Sequence, residues 1–242
     1  AAAKTADLMV DAGRRQDRAT HARHDDTLGF YTPILKGFLT EMGLEAANLG
    51  MQVFGGHGYI HEHGMEQIAR DARIATLYEG TTGIQALDLL GRKVLLGTRG
   101  KCVRDFSRIM LRSAKAHWLA HGSIGRMARS TAKRAIEWNL LTLRIMRRVG
   151  KDRDLVGSAS VDYLMYSGYV MMAHFWARQA AVAQTFLRNG KGAESAEFYR
   201  AKIQTAEFYF DRLLPRADAH RKSALAPTRS LMQMGNGDFA FS

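Results

Sequence analysis

From Ser158 to Leu187 the chain runs thirty residues in which Asp162 and Arg178 are the only Asp, Glu, Lys or Arg, and no proline intervenes. Apolar groups recur there at helical spacing: Val161, Leu164, Met165, Tyr169, Met172, Phe175, Trp176, Val182 and Phe186. A helix apolar on most of its circumference has to be surrounded. No uninterrupted apolar run approaches the roughly 20 residues of a membrane span, so the segment predicts the central helix of a bundle rather than a membrane anchor. Its methionines and aromatics read as core filling. The whole chain agrees, with 3 prolines in 242 residues and 46% hydrophobic content. Such a composition fits a helix-rich globular protein. The predicted fold class is all-α.

Along the chain, residues 1–24 predict a first helix and residues 27–31 a break. Thr32 as N-cap and Pro33 at the first helical position predict the start of the next helix. That helix runs to about residue 51, with Ile34, Leu35, Phe38, Leu39, Met42, Leu44, Ala47 and Leu49 as its apolar face. A glycine-rich loop over 54–64 follows. Then come a short helix over 65–73, a turn, and a helix over 82–96. Four more helices are predicted over 101–121, 124–149, 158–189 and 193–214. Pro215 ends the last, and residues 225–242 read as an extended or loosely packed tail.

The turn holds the chain's most specific motif, Tyr78-Glu79-Gly80-Thr81-Thr82. Gly80 permits backbone angles that a Cβ forbids. Thr81 or Thr82 suits the N-cap of the following helix. Glu79 therefore stands just before a helix N-terminus, where free N–H groups attract anions. A carboxylate there can serve as a general base if partial desolvation raises its pKa. A solvated turn carboxylate is the commoner identity of such a residue, and the local pattern alone leaves both readings open.

Upstream lie Gln52-Val53-Phe54-Gly55-Gly56 and Arg70-Asp71-Ala72-Arg73-Ile74. Together the three motifs, in this order and spacing, resemble the C-terminal helical domain of the flavin-dependent acyl-CoA dehydrogenases. The resemblance is clear over residues 33–94. It implies that Glu79 is the catalytic base, taking the α-proton of an acyl-CoA thioester while the β-hydride passes to FAD, which leaves a trans-2-enoyl-CoA. Gln52, Val53, Phe54, Gly55, Gly56, Thr81, Thr82 and Gly83 would contact FAD. Tyr78 and Gly80 would line the acyl-thioester pocket. The family implies fatty acid metabolism, an electron acceptor such as an electron-transfer flavoprotein, and a homo-oligomer in which a neighbouring subunit completes the FAD site. Two positions depart from the family pattern. Gly64 replaces a common Pro. Gly83 replaces a common Glu, so its contact can only be a backbone one.

The material beyond residue 97 is similar to the extension of a bacterial subgroup that includes enzymes similar to 3-methylmercaptopropionyl-CoA dehydrogenase. The junction Ile84 to Lys93 looks like that subgroup's. The expected domains are thus a catalytic helical domain, 1–96, and a helical extension, 97–242. Charge divides unevenly between them. Residues 1–85 hold 8 Lys+Arg against 11 Asp+Glu, whereas residues 86–242 hold 27 against 12. The basic residues are scattered doublets such as Lys133-Arg134, Arg147-Arg148 and Arg221-Lys222, which read as a solvated surface and not as a nucleic-acid site. The rival reading is a non-catalytic helical assembly or anion-binding module.

His57, His61 and His63 invite a metal, but a zinc site needs four matched ligands and lacks cysteines here. Cys102 is alone, which excludes an internal disulfide and fits a reducing, cytoplasmic compartment. The first residues, AAAKTADLMVDAGRRQD, carry charges inside their apolar pattern and are no signal peptide. The resemblance implies that a β-domain and a first helical domain stand upstream in family members, so the chain reads as a C-terminal portion. The purified 242-residue chain is therefore expected to be colourless and to reduce no electron acceptor with any acyl-CoA. Stoichiometric flavin in its absorbance spectrum, together with turnover, would overturn that reading.

Overall fold

One helix of 36 residues, α2 (Arg18–Val53), organises the N-terminal part of the structure. The computed structural model describes residues 2–190 and 192–239, and all its regular elements are helical. It divides into two compact units, Ala1–Cys102 and Val103–Ser242. In the first unit, α1 (Ala2–Arg14) packs against α2. The glycine-rich stretch after α2 forms two 3-10 turns, Gly55–Gly58 and His61–His63. Then come α3 (Met65–Ile74) and α4 (Thr82–Leu87), both also packed on α2.

The predicted break at 27–31 is absent. α2 runs straight through it, with Pro33 buried inside the helix and not at its start. A proline there forfeits its own N–H bond and crowds the carbonyl four residues back, a cost of about 3 kcal/mol. Burial of Phe30, Tyr31, Ile34 and Phe38 around it offsets this, at about 1.5–3 kcal/mol for each fully buried large side chain. The true interruption lies earlier, inside the predicted first helix. Gln16 takes a positive φ of 59°, and the Asp17 carboxylate accepts the Thr20 N–H at 3.0 Å, an N-cap that starts α2.

Beyond Leu87 the helix continues in π winding over Asp88–Gly97. Its wider turn shows at the end, where the Thr98 N–H reaches the Lys93 carbonyl at 3.1 Å. Leu89, Leu90 and Val94 are fully buried on its inner side.

The second unit contains α5 (Lys101–Ala116, whose first two residues belong to the N-terminal unit), α6 (Gly122–Val149), α7 (Leu155–Asn189), α8 (Ala196–Phe208, prolonged by a π turn over Tyr209–Leu213), α9 (Arg216–Ser223) and α10 (Arg229–Met232). α7 is central and packs on α6, α8 and α9. Its buried residues include Tyr163, Leu164, Tyr166, Val170, Ala173 and His174. Of the expected apolar positions, Val161, Val182 and Phe186 stay exposed, because a helix apolar nearly all round does not reveal which arc its neighbours cover. Pro215 separates α8 from α9. The tail beyond α9 is largely exposed, and its last residues, 240–242, lie outside the described ones.

Buried polar groups fix how these helices meet. Arg134 on α6, 7% exposed, donates to both Asp218 oxygens at 2.7 and 2.8 Å and to Glu137 at 2.8 Å. The Arg134 hydrogen bond holds the Asp218 carboxyl below its ordinary range. The Tyr209 hydroxyl donates to the Tyr169 carbonyl at 2.7 Å, and Thr142 and Tyr163 share a hydrogen bond of 2.7 Å. These contacts satisfy the buried polar groups where the helices meet.

His174 is different. It is 1% exposed, lies edge-on to Phe106 and Phe175, and its Nδ1 has no hydrogen-bond partner among the described residues. Burial first, and then the charge of Arg178, lower its pKa from 6.5 to about 4. The unfolded chain takes up this proton near pH 6.5, whereas the folded chain resists until about pH 4. Between those values the unfolded state binds more protons, so stability falls as pH falls. The loss reaches about 3 kcal/mol at roughly 1.4 kcal/mol per pKa unit. His174→Phe should remove this component: urea unfolding at pH 7 and pH 4.5 should show a smaller acid loss in the variant. Equal losses in both proteins would show that His174 does not contribute.

Candidate active site

The turn containing Glu79 is moored to α2 at two levels. The Lys36 ammonium donates to the Ala75 carbonyl and lies 5.0 Å from the Tyr78 ring centroid. One helical turn on, the Thr82 hydroxyl donates to the Glu41 carboxylate. Between these anchors the chain passes through Glu79 at φ 52° and Gly80 at φ 95°. The left-handed region costs a residue with a Cβ about 1–2 kcal/mol. The Thr81 hydroxyl then accepts the Ile84 N–H at 3.4 Å and caps α4.

Gln85 completes the turn. Its side-chain amide donates to the Glu79 carbonyl at 3.3 Å. The same Nε2 lies 2.6 Å from where a Cβ on Gly80 would stand. Glycine at 80 is therefore favoured by the positive φ, and any Cβ there would also displace the Gln85 amide. Sequence reasoning did not single out Gln85. The available signal was a polar residue one position beyond the place where a capping-box side chain reaches back over a helix start.

Glu79 is exposed and lines an open cleft of about 490 Å³ with Gly80, Ile84, Leu87, Asp88 and Arg92. The described residues leave Glu79 open to solvent, without the desolvation expected of a working base. At the cleft edge Asp88 accepts a hydrogen bond from Arg92, which raises the already high pKa of the guanidinium. Tyr78 is 51% exposed, and Leu77, Ile84 and Leu87 around it are also exposed. Gly83 forms the first turn of α4, with only the Thr81 hydroxyl near its Cβ position.

The other expected site segment lies elsewhere. Gln52 and Val53 form the last turn of α2, and Phe54 caps it by donating its N–H back to the Gly50 and Met51 carbonyls. Val53 is 84% exposed, and Phe54 presents half its surface. A Cβ on Gly55 or Gly56 would meet nothing within 4 Å, whereas one on Gly58 would lie 2.3 Å from the Met51 carbonyl. Gly58 is therefore needed for packing, whereas Gly55 and Gly64 are needed for their positive φ of 59° and 68°. Eleven residues of α2 separate Gln52 from Glu41. At 1.5 Å per residue that is roughly 16 Å along the axis. Tyr78 to Gly83 thus form one cluster and Gln52 to Gly56 another.

The histidines of the loop do not converge. His57 and His63 meet edge to face with centroids 5.3 Å apart, while His61 pairs with Glu66 at 3.3 Å. Among the described residues no group of three or more His, Cys, Asp or Glu could hold a metal ion.

Two family models match the chain. Residues 4–95 match the acyl-CoA dehydrogenase C-terminal domain. Residues 104–235 match the acetyl-CoA dehydrogenase C-terminal-like family. The chain is 35% identical, over 88% of its length and 36% of the relative's, to the 3-methylmercaptopropionyl-CoA dehydrogenase of Ruegeria pomeroyi. It is 27% identical to the broad-specificity linear acyl-CoA dehydrogenase FadE5 of Mycobacterium tuberculosis, over 86% of the chain and 34% of the relative. It is 28% identical to a butyryl-CoA dehydrogenase of Syntrophomonas wolfei, over 86% and 33%. The chain spans about a third of the length of these curated relatives. Matched over most of its length by two adjoining models, the chain belongs to the acyl-CoA dehydrogenase family, whose C-terminal helical domains it carries.

Proposed function

We propose that this chain is the C-terminal part of an FAD-dependent acyl-CoA dehydrogenase, with residues 1–96 as its catalytic helical domain and 97–242 as its extension, and that Glu79 is the base. The observation that carries this reading is the strained Glu79–Gly80 turn, clamped by Gln85 and anchored to Lys36 and Glu41. Backbone strain persists where its surroundings over-determine it, and such places cluster at active sites. Glu79 takes the α-proton of the acyl-CoA thioester onto its carboxylate. Its N–H would donate to the thioester oxygen, where negative charge develops as the proton leaves. Exposed Tyr78 and the Gly80 backbone border the acyl chain.

FAD fits the exposed ends of the two clusters. Gly55 and Gly56 leave uncovered backbone beside the half-exposed Phe54 ring, a surface suited to a flat aromatic ring system. Gln52 to Gly56 and Thr81 to Gly83 would hold it, and when bound it accepts the hydride that leaves the β-carbon. The Thr82 hydroxyl is already engaged by Glu41, so Thr82 would contribute backbone. In the proposed homo-oligomer a neighbouring subunit completes the flavin site. Exposed Leu77, Ile84 and Leu87 would be covered in the assembled enzyme, and that cover would provide the desolvation of Glu79. An electron-transfer flavoprotein is the proposed acceptor, and the cytoplasm the proposed compartment. No helix among the described residues is long and apolar enough to cross a membrane.

In the intact enzyme, Glu79→Gln should retain flavin yet slow its reduction by substrate by about 10²–10⁴-fold or more. Stopped-flow bleaching of flavin at near wild-type rate would place the base elsewhere. Gln85→Glu removes the donor to the Glu79 carbonyl and sets a carboxylate against it. The expected result is a fall in kcat of about tenfold to a hundredfold, the effect of a displacement near 1 Å, with flavin retained and KM little changed. An unchanged kcat would show that the Gln85 hydrogen bond does not position Glu79.

A further inference from the structure

A groove of about 360 Å³ runs between α7 and α8, wholly within the second unit. That volume is at the lower end of the range of small-molecule sites. Its wall is apolar, formed by Phe175, Val182 and Ala183 of α7 and by Phe198 and Tyr199 of α8. The wall is already fixed. Tyr199 stacks on Phe186 with centroids 5.0 Å apart, and its hydroxyl accepts the Glu194 N–H at 3.3 Å.

Two cations border this wall, Arg178 and Lys202, and no acidic residue lines it. Neither cation makes an ion pair among the described residues. The Lys202 ammonium lies 5.2 Å from the Phe198 ring centroid, so its stem follows the apolar surface while its charge stays at the rim. The charge of Arg178 also adds, after burial, to the lowering of the His174 pKa. Arg126 and Arg200, by contrast, pair with Asp211 and Glu197.

An apolar trough with two uncompensated cations at its edge complements one ligand chemistry, an unbranched apolar chain carrying a single anionic head. Inorganic phosphate would leave the trough wall in water, and a neutral alcohol would leave the cations unmatched. We infer that the α7–α8 groove is a binding site for a medium-chain carboxylate, whose tail lies along Phe175, Val182 and Phe198 and whose head pairs with Arg178 and Lys202.

Equilibrium dialysis of the intact protein against labelled decanoate tests this. Saturable binding of about one equivalent is expected, with a dissociation constant of about 0.1–1 mM, the range that a dozen ligand atoms can support. Arg178→Glu and Val182→Glu alter exposed positions and should leave the fold intact. Each should weaken binding at least tenfold. Arg147→Glu makes the same charge change as Arg178→Glu at an exposed site outside the groove lining and should leave binding unchanged. Decanol and acetate, lacking head charge and tail respectively, should each bind at least tenfold more weakly than decanoate. The inference fails if decanoate binding does not saturate. It fails also if Arg147→Glu weakens binding as much as Arg178→Glu, or if decanol binds as well as decanoate.

Discussion

The hydrogen bond from Thr82 to Glu41 is the contact on which the candidate site depends. It ties the start of α4 to the middle of α2, and with Lys36 on Ala75 it pins both ends of the six-residue stretch 76–81. A turn held only by its own backbone would relax away from the left-handed angles of Glu79. Held from outside, it has one geometry. Both anchors stand on the C-terminal side of Pro33 in α2, and burial of Phe30, Tyr31, Ile34 and Phe38 around the proline joins that stretch to the rest of the helix.

The second unit is built differently. Its central helix α7 is enclosed by apolar neighbours, and specificity comes from a few buried polar groups that each have one good solution. Arg134 is the clearest. Its fork fits both oxygens of Asp218 while still reaching Glu137, a geometry that lysine, a point charge with three rotatable donors, cannot reproduce. The join between α6 and α9 is set by shape and charge together.

Most of the fold was legible because helix signals are local. The N-cap at Thr81, the α3 segment, the stop at Pro215 and the length of α7 all follow from periodicity and capping chemistry. Two readings failed for a common reason. Pro33 reads locally as a helix start, yet tertiary burial outweighed its cost. Val161, Val182 and Phe186 read as core, yet a helix apolar on nearly every side carries no phase information. At the candidate site, the motif drew attention to Glu79, Gly80 and Thr81 from residue types alone. The moorings at Lys36 and Glu41 were hidden because they join residues 39 and 41 positions apart. Gln85 was overlooked because a glutamine on a helix surface looks ordinary until its amide is seen to face a carbonyl.

The positive φ of Glu79 sets local comfort against chemistry. Glycine at this position would relieve about 1 kcal/mol of backbone strain, and asparagine part of it, at the loss of the carboxylate. A directed-evolution campaign that scored this protein only by melting temperature would drift toward those residues at 79. It would return a more heat-tolerant protein stripped of its proposed proton acceptor. Substitutions accumulated under such a screen would locate the places where the fold gives up ease for function.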